Sequence, residues 1–300
     1  YIKSTKLEEY KQQKRGGKGL IATTTGDDDF VEDLFVVNNL STILFFTNKG
    51  RLHWLKAYQI PQGTRYSKGK AIVNLIDLSE NEKINSILSL KDFNEGYLIF
   101  CTKEGILKKT DVKLYSNPRK GGINAINLDD KDEVVNVLYV KGGENLIIGT
   151  YEGLGMRFNE KDVRDTGRNS SGVIGIRLTE NDYVIGMEKS IDGSSLFTVT
   201  ENGFGKRTIV NDYRIIKRGG KGVLNIKTKH IYEDSRNSGV IGIKDVFDSD
   251  ELMFITKNGI TIRVKVNQFR DIGRNTSGVR LIKLDENDRV VSVAKVVGEE

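Results

Sequence analysis

The sequence predicts an all-β chain of six radial units, each a four-stranded antiparallel blade of ~50 residues. Three observations carry this reading. Landmark glycines return at a nearly fixed period, short runs of alternating apolar residues flank them, and 32 glycines stand against two prolines, Pro61 and Pro118. That glycine share exceeds the usual ~7%, and the alternation assigns the excess to tight turns.

Within a unit the elements follow in order. The first strand is an apolar run that ends in Thr, two further residues and Gly, as at 43–50, 98–105, 146–153, 196–203 and 252–259. Its closing glycines lie 55, 48, 50 and 56 residues apart. Turns of this kind between alternating residues signal a hairpin. The second strand leaves the glycine: Ile260, Ile262, Val264 and Val266 alternate with Thr261, Arg263 and Lys265, one face apolar and the other basic. Tyr1–Thr5 matches this strand, so the first unit is entered in mid-hairpin. The third strand, such as Val173 to Leu178, opens after a glycine that ends a basic loop. This landmark falls at Gly19, Gly69, Gly122, Gly172, Gly222 and Gly278, with spacings of 50, 53, 50, 50 and 56. A turn with an acid four residues after a leucine, Leu78 to Glu82 or Leu178 to Asp182, leads into the fourth strand. Repetition around an axis leaves only short sheet edges, so residues 1–300 read as one disc. The polar insertion from Lys227 to Ser238, which contains His230, reads as a solvated loop.

Composition narrows the chemistry. Two histidines, His53 and His230, and one cysteine, Cys101, leave no His/Cys metal cluster and no disulfide framework. Cys101 sits in an apolar run and reads as buried packing. No apolar run approaches the ~18 residues that cross a bilayer, and the first residues lack the form of a signal peptide, so the chain reads as cytosolic. No acid, base and nucleophile converge, so no catalytic residue and no cofactor is expected.

The charge balance is 47 basic minus 41 acidic residues, or +6. Its placement says more than its size. In an up-down meander the second loops lie at one end of a blade and the first and third turns at the other. The second loops carry Lys14, Arg15 and Lys18; Arg65, Lys68 and Lys70; Arg119 and Lys120; Arg164 and Arg168; Arg214, Lys217, Arg218 and Lys221; and Arg270 and Arg274. The third turns carry Asp27, Asp28, Asp29, Asp129, Asp130 and Asp288. Four residues after the hairpin glycine a further basic column predicts DNA contacts at Lys109, Arg157, Arg207 and Arg263, with Lys265 beside it and Trp54 in the same place one unit earlier.

Such a curved stripe of cations suits duplex DNA, whose phosphates bind without base reading and in a salt-dependent manner. A disc of ~25 Å radius has a perimeter of ~160 Å, or ~45 base pairs at ~3.4 Å each. Bending 20–30 base pairs costs ~1–6 kcal/mol, which contacts from several blades together can offset.

One loop stands out: Gln13-Lys14-Arg15-Gly16-Gly17-Lys18-Gly19, with three cations, paired glycines and a glutamine able to bond a phosphate or sugar oxygen. It is no P-loop, because Gly19 follows Lys18 where a magnesium-binding Ser or Thr would stand, and Gly222 excludes Lys221 likewise. The loop resembles the signature box of the C-terminal domains of DNA gyrase A subunits, and the six repeats are similar to that family's pattern along essentially the whole chain. A degenerate copy runs from Lys217 to Gly222, with Ile216 in the glutamine's place. The looser form Gly-Arg-Asn-Ser/Thr-Ser-Gly occupies 167–172 and 273–278.

The resemblance implies a six-bladed β-pinwheel, in which strands are exchanged between blades and DNA wraps right-handedly around the rim. It implies a non-catalytic part of an ATP-dependent topoisomerase that introduces negative supercoils. Its partners would be duplex DNA, the breakage-reunion domain of the same polypeptide, and the gyrase B subunit in an A2B2 enzyme of the bacterial cytoplasm and nucleoid. ATP, magnesium and the catalytic tyrosine belong to other domains of that family. Two further readings are the topoisomerase IV counterpart, which differs mainly in the box and blade number, and a protein-interaction propeller, whose Gly-His and Trp-Asp signatures are absent here.

Overall fold

The computed structural model describes residues 1–5, 37–64, 67–233 and 235–296. Its first strands are β1 (Thr42–Thr47), β2 (Arg51–Lys56), β3 (Ile84–Leu90), β4 (Tyr97–Thr102), β5 (Ile106–Asp111), β6 (Ile123–Asn124) and β7 (Val134–Val140). Then come β8 (Asn145–Thr150), β9 (Leu154–Asn159), β10 (Val173–Ile174), β11 (Val184–Lys189), β12 (Ser195–Thr200), β13 (Phe204–Ile209) and β14 (Val223–Leu224). The last are β15 (Val240–Val246), β16 (Glu251–Thr256), β17 (Thr261–Lys265), β18 (Val279–Arg280) and β19 (Val290–Val296). Among the described residues no helix is long and apolar enough to cross a membrane.

The threonine of each hairpin has a local task. Its buried hydroxyl accepts the N–H four residues on, from Arg51 to Thr47 (3.2 Å), Ile106 to Thr102 (3.1 Å) and Leu154 to Thr150 (3.1 Å), while that of Thr200 donates to the Phe204 carbonyl four residues on (2.9 Å). The same threonine marks a register shift toward the inner strand in all five sheets, as between Cys101 and Thr102. Hence the spacing Thr, two residues, Gly.

Pairing departs from the expected meander. The sheets run β3-β1-β2-β6, β7-β4-β5-β10, β11-β8-β9-β14, β15-β12-β13-β18 and β19-β16-β17. The short strand after each basic loop therefore pairs with the second strand of the preceding blade: Leu52 with Ile123, Leu107 with Val173, Gly155 with Val223 and Gly205 with Val279. This is the exchange of strands that the resemblance implied. It satisfies backbone groups that the second strand would otherwise expose on a bare edge.

The described residues form five sheets rather than the expected six, four of them four-stranded and the last three-stranded. Tyr1–Thr5 makes only isolated bridges, Ile2 with Lys70 and Ser4 with Gln62, and residues 6–36 of the first unit lie outside the described residues. The bridge of Ile2 to Lys70 repeats the pairing of Leu52 with Ile123, which gives Ile2 the register position that Leu52 holds on β2.

The core lies between blades. In β4, Leu98 and Phe100 pack with Leu44 and Phe46 of the preceding blade, while Ile99 and Cys101 pack with Leu146 and Ile148 of the next. Alternation here separates two buried faces, which is why first strands read as continuous apolar runs. Strands β3, β7, β11, β15 and β19 touch one another in turn and form the inner side, which leaves β6, β10, β14 and β18 at the outer rim. The insertion at 227–238 is not the plain solvated loop expected. Thr228 and Asn237 are fully buried, and the Asn237 amide donates to the Lys227 and Ser277 carbonyls, tying it to the neighbouring basic loop.

The rim landmark requires glycine. Gly278 has φ +72°, and a Cβ there would stand 2.2 Å from the Gly205 carbonyl oxygen of the strand it pairs with. We expect Gly278→Ala to cost ~1–3 kcal/mol in a denaturant titration. Gly273→Ala, five residues earlier with open space around it, should change stability by less than ~0.5 kcal/mol; equal effects would contradict the rim assignment.

Candidate nucleic-acid interface

Each basic loop runs from the turn after a second strand to the short rim strand, so the exchange carries it to the outer edge of the preceding blade. In three of the loops one arginine falls in register. Arg164, Arg214 and Arg270 each precede a residue, Asp165, Ile215 or Asp271, that bridges in parallel to Lys109, Arg157 or Arg207 of the blade before. All three arginines are exposed. Lys68, Lys70, Arg119, Lys120, Lys217 and Lys221 are exposed on the same set of loops, with the Lys68 ammonium 4.4 Å from the Tyr1 ring centre. Arg65 and the whole of Gln13, Lys14, Arg15, Gly16, Gly17, Lys18 and Gly19 lie outside the described residues.

Other loop cations are tied down. Arg274 donates to the Leu224 carbonyl (2.9 Å) and lies over Tyr213. Arg218 donates to the carbonyls of Asp162 (2.8 Å) and Ile174 (3.2 Å). The Gly219 N–H of the degenerate box donates to the Gly175 carbonyl, which ties this backbone to its neighbour. Arg168 is half-buried.

The expected basic column is not a surface stripe. Lys109, Arg157 and Arg207 are buried, because the next blade covers the strand face and the exchanged strand covers its edge. Each reaches into the following blade. Lys109 Nζ is 2.6 Å from Glu160 and 3.2 Å from Asp165. Arg157 donates to the Val210 carbonyl (3.2 Å) and to Asn211 (3.0 Å). Arg207 pairs through Nε and Nη2 with both carboxylate oxygens of Asp271 (2.8 and 2.9 Å), meets Asp248 at 2.6 Å, and donates to the Val266 carbonyl. Trp54 holds the same place in the first sheet, its indole N–H donating to the Tyr115 carbonyl at 3.0 Å.

Desolvation opposes the Lys109 charge, yet hydrogen bonds to Glu160 and Asp165 hold its pKa above the usual lysine value. Asp271 raises the Arg207 pKa. Arg263 and Lys265 are exposed on β17, and among the described residues no strand covers the outer side of β17; Arg263 pairs with Glu251 of its own blade. The signal for this division was present in the acids Asp165 and Asp271, set directly after exposed arginines.

Several turn acids are likewise structural. Asp132 accepts the N–H groups of Glu104 (3.0 Å) and Glu133 (2.8 Å), Asp182 those of Glu152 and Tyr183, and Asp288 those of Asn258 and Arg289, which joins first and third turns at one end. Asp129 and Asp130 are exposed there; Asp27, Asp28 and Asp29 lie outside the described residues. Among the described residues no group of three or more His, Cys, Asp or Glu could hold a metal ion.

The two cation classes should separate by substitution. Arg207→Ala should lower stability by ~1–2 kcal/mol, less than a fully buried pair because Asp248 and Asp271 can reach water. Arg270→Ala should change stability by less than ~0.5 kcal/mol. Thermal and denaturant unfolding of the two variants distinguishes them.

Comparison with known proteins agrees with this architecture. The family model for "DNA gyrase C-terminal domain, beta-propeller" matches six segments, residues 1–38, 41–91, 96–141, 144–190, 194–229 and 250–296. The DNA gyrase A protein of Clostridium acetobutylicum is 48% identical over 297 residues, and that of Halalkalibacterium halodurans 51% over 297; each alignment covers 99% of this chain and 35% of the relative. The chain thus spans about a third of the length of these relatives. Among solved structures, a DNA gyrase A C-terminal domain aligns with TM-score 0.76 at 29% identity, covering 99% of this chain and 96% of that one. The C-terminal domain of a DNA topoisomerase IV aligns with TM-score 0.84 at 27% identity, covering 99% and 90%. The chain belongs to the DNA gyrase C-terminal domain family of β-propellers.

Proposed function

We propose that this chain binds, bends and wraps duplex DNA around its outer rim, as a six-bladed ring whose first unit completes the circle, and without catalysis of its own. The observation that carries the reading is the row of Arg164, Arg214 and Arg270, exposed at equivalent rim positions of successive units. Regular cation spacing on a curved edge matches a polyanion of regular charge spacing, and rim loops contributed by several blades supply the many contacts that bending requires. In the intact protein the wrap would be right-handed and would present a nearby duplex segment to the breakage-reunion domain. ATP-driven passage with the gyrase B protein would then introduce negative supercoils. Identity to gyrase A proteins supports gyrase. The topoisomerase IV fold match favours the second reading, which supercoiling against relaxation by the reassembled enzyme decides.

The test is gel-shift titration on linear duplexes of increasing length. Affinity should rise with length up to ~40 base pairs or more, and log K should fall linearly with log salt. Replacing Arg164, Arg214 and Arg270 by Gln should reduce that slope by roughly 2 to 3, at ~0.9 per lost phosphate contact, with unchanged melting temperature. Replacing Lys14, Arg15 and Lys18 by Gln should shorten or weaken the wrap, also without unfolding. Binding that is independent of length and persists at high salt would contradict the reading.

A further inference from the structure

Beneath two of the rim loops lies a second, fully buried cation. Three residues after the hairpin glycine stand His53, Lys108, Met156, Lys206 and Ile262, and the pairing of Ile2 with Lys70 gives Lys3 the same place at the chain start. Lys108 and Lys206 are 0% and 1% exposed. An ammonium has three N–H donors, and each of these has three acceptors. Lys108 Nζ donates to the Tyr115 hydroxyl (3.2 Å), the Ala125 carbonyl and the Arg168 carbonyl (2.8 Å). Lys206 Nζ donates to the Thr208 hydroxyl (2.8 Å) and to the Gly273 (2.9 Å) and Arg274 (3.1 Å) carbonyls. None of the six is a carboxylate.

Burying an ammonium without a counter-ion is costly, and the fold has another solution: Met156 fills the equivalent site with no charge. What differs is the loop above. Both lysines lie under the sequence Gly-Arg-Asn-Ser/Thr-Ser-Gly, at 167–172 and 273–278, whereas Met156 lies under the degenerate box at 217–222. That box is held differently, by Arg218 and the Gly219 N–H. Lys3 grips its own rim loop in the same way, donating to the carbonyls of Thr64 (3.1 Å) and Ser67 (2.7 Å). The loops meet their lysines half-way: Ser170 and Thr276 hydroxyls donate back to the Gly167 and Gly273 carbonyls, orienting the same segment.

We propose that Lys108 and Lys206 are positioning residues for DNA: internal cations around which the Gly-Arg-Asn-Ser/Thr-Ser-Gly loops fold, fixing the rim arginines Arg164 and Arg270 at the spacing a phosphate backbone requires. The proposal rests on the DNA-wrapping reading. Each loop is held twice against the preceding blade, at its entry by the N–H of Thr166 or Ile272 to the Lys109 or Arg207 carbonyl, and at its middle by the buried ammonium. Both ties lie on the C-terminal side of Arg164 or Arg270, so without the ammonium the segment that carries the arginine is held at a single point and can swing about it.

The groups facing each ammonium are few. Around Lys108 are the Tyr115 hydroxyl and Arg168; around Lys206 are Arg274 and Asp212, with Lys109 and Arg207 engaged by their own acids on the adjoining positions. Burial, with Arg168 or Arg274 adding to it, lowers both pKa values to about 7. The unfolded chain keeps these protons to ~10.4 and so binds more of them between the two values, which makes stability rise with pH across that window.

The test compares the 300-residue chain with Lys108→Met, Lys206→Met and their combination, substitutions that copy the residue found at Met156. Amide exchange without DNA should quicken on the order of tenfold in 164–172 and 270–278 and remain unchanged in 217–222. The salt slope of DNA binding should fall by roughly 1 to 2; the slope counts phosphate contacts, which a purely structural lysine leaves unchanged while the chain is folded. If the double variant fails to fold, Lys206→Met alone is read at 270–278. Unchanged loop exchange or an unchanged salt slope overturns the proposal while the unsubstituted chain still prefers long duplexes. Loss of that preference in the unsubstituted chain removes the DNA reading itself.

Discussion

Every four-stranded blade borrows its outer edge. Two residues from the following unit, such as Val173 and Ile174 against Leu107 and Ile106, complete the sheet, and the rest follows from where those residues must lie. The loop before them is drawn across the blade junction and out to the rim. A glycine must turn the chain there against a strand carbonyl. The second strand loses its open edge, so any charge on it has to find a partner in the next blade. Stability and charge display are thus set by one topological choice.

The choice gives identical residue types opposite roles. Arg207 and Arg270 are both arginines repeated at matching places in neighbouring units, yet one bridges two blades through Asp271 and the other faces water. The buried set, Trp54, Lys109, Arg157 and Arg207, joins each blade to the turn following the second strand of the next. The exposed set lies one residue before the matching bridges. A rim that is to hold a stiff polymer gains from this arrangement, because the clamps behind the contacts limit how far each loop can shift when the polymer pulls on it.

Repeat length, hairpins, blade-like units and Cys101 as packing were legible in the sequence because they depend on short-range spacing. The exchange was legible only through resemblance, since Val173–Leu178 reads the same whether it pairs with its own blade or the one before. That ambiguity misplaced the basic column. A strand with Lys206 and Arg207 side by side presents cations to both faces, which periodicity reads as a solvated edge and the structure resolves as two buried sites with different partners. Lys108 and Lys206 were hidden for the same reason, half of their acceptors being loop carbonyls 60 to 68 residues away. The polar insertion at 227–238 misled by composition, its buried Asn237 being satisfied by carbonyls.

The rim proposed here should bend DNA into a wrap of one hand. The most direct measurement binds the chain to nicked circular DNA, ligates, and reads the trapped linking difference after protein removal. A positive difference that grows with the number of bound chains is the predicted result. A null or negative difference at saturating protein would rule out right-handed wrapping.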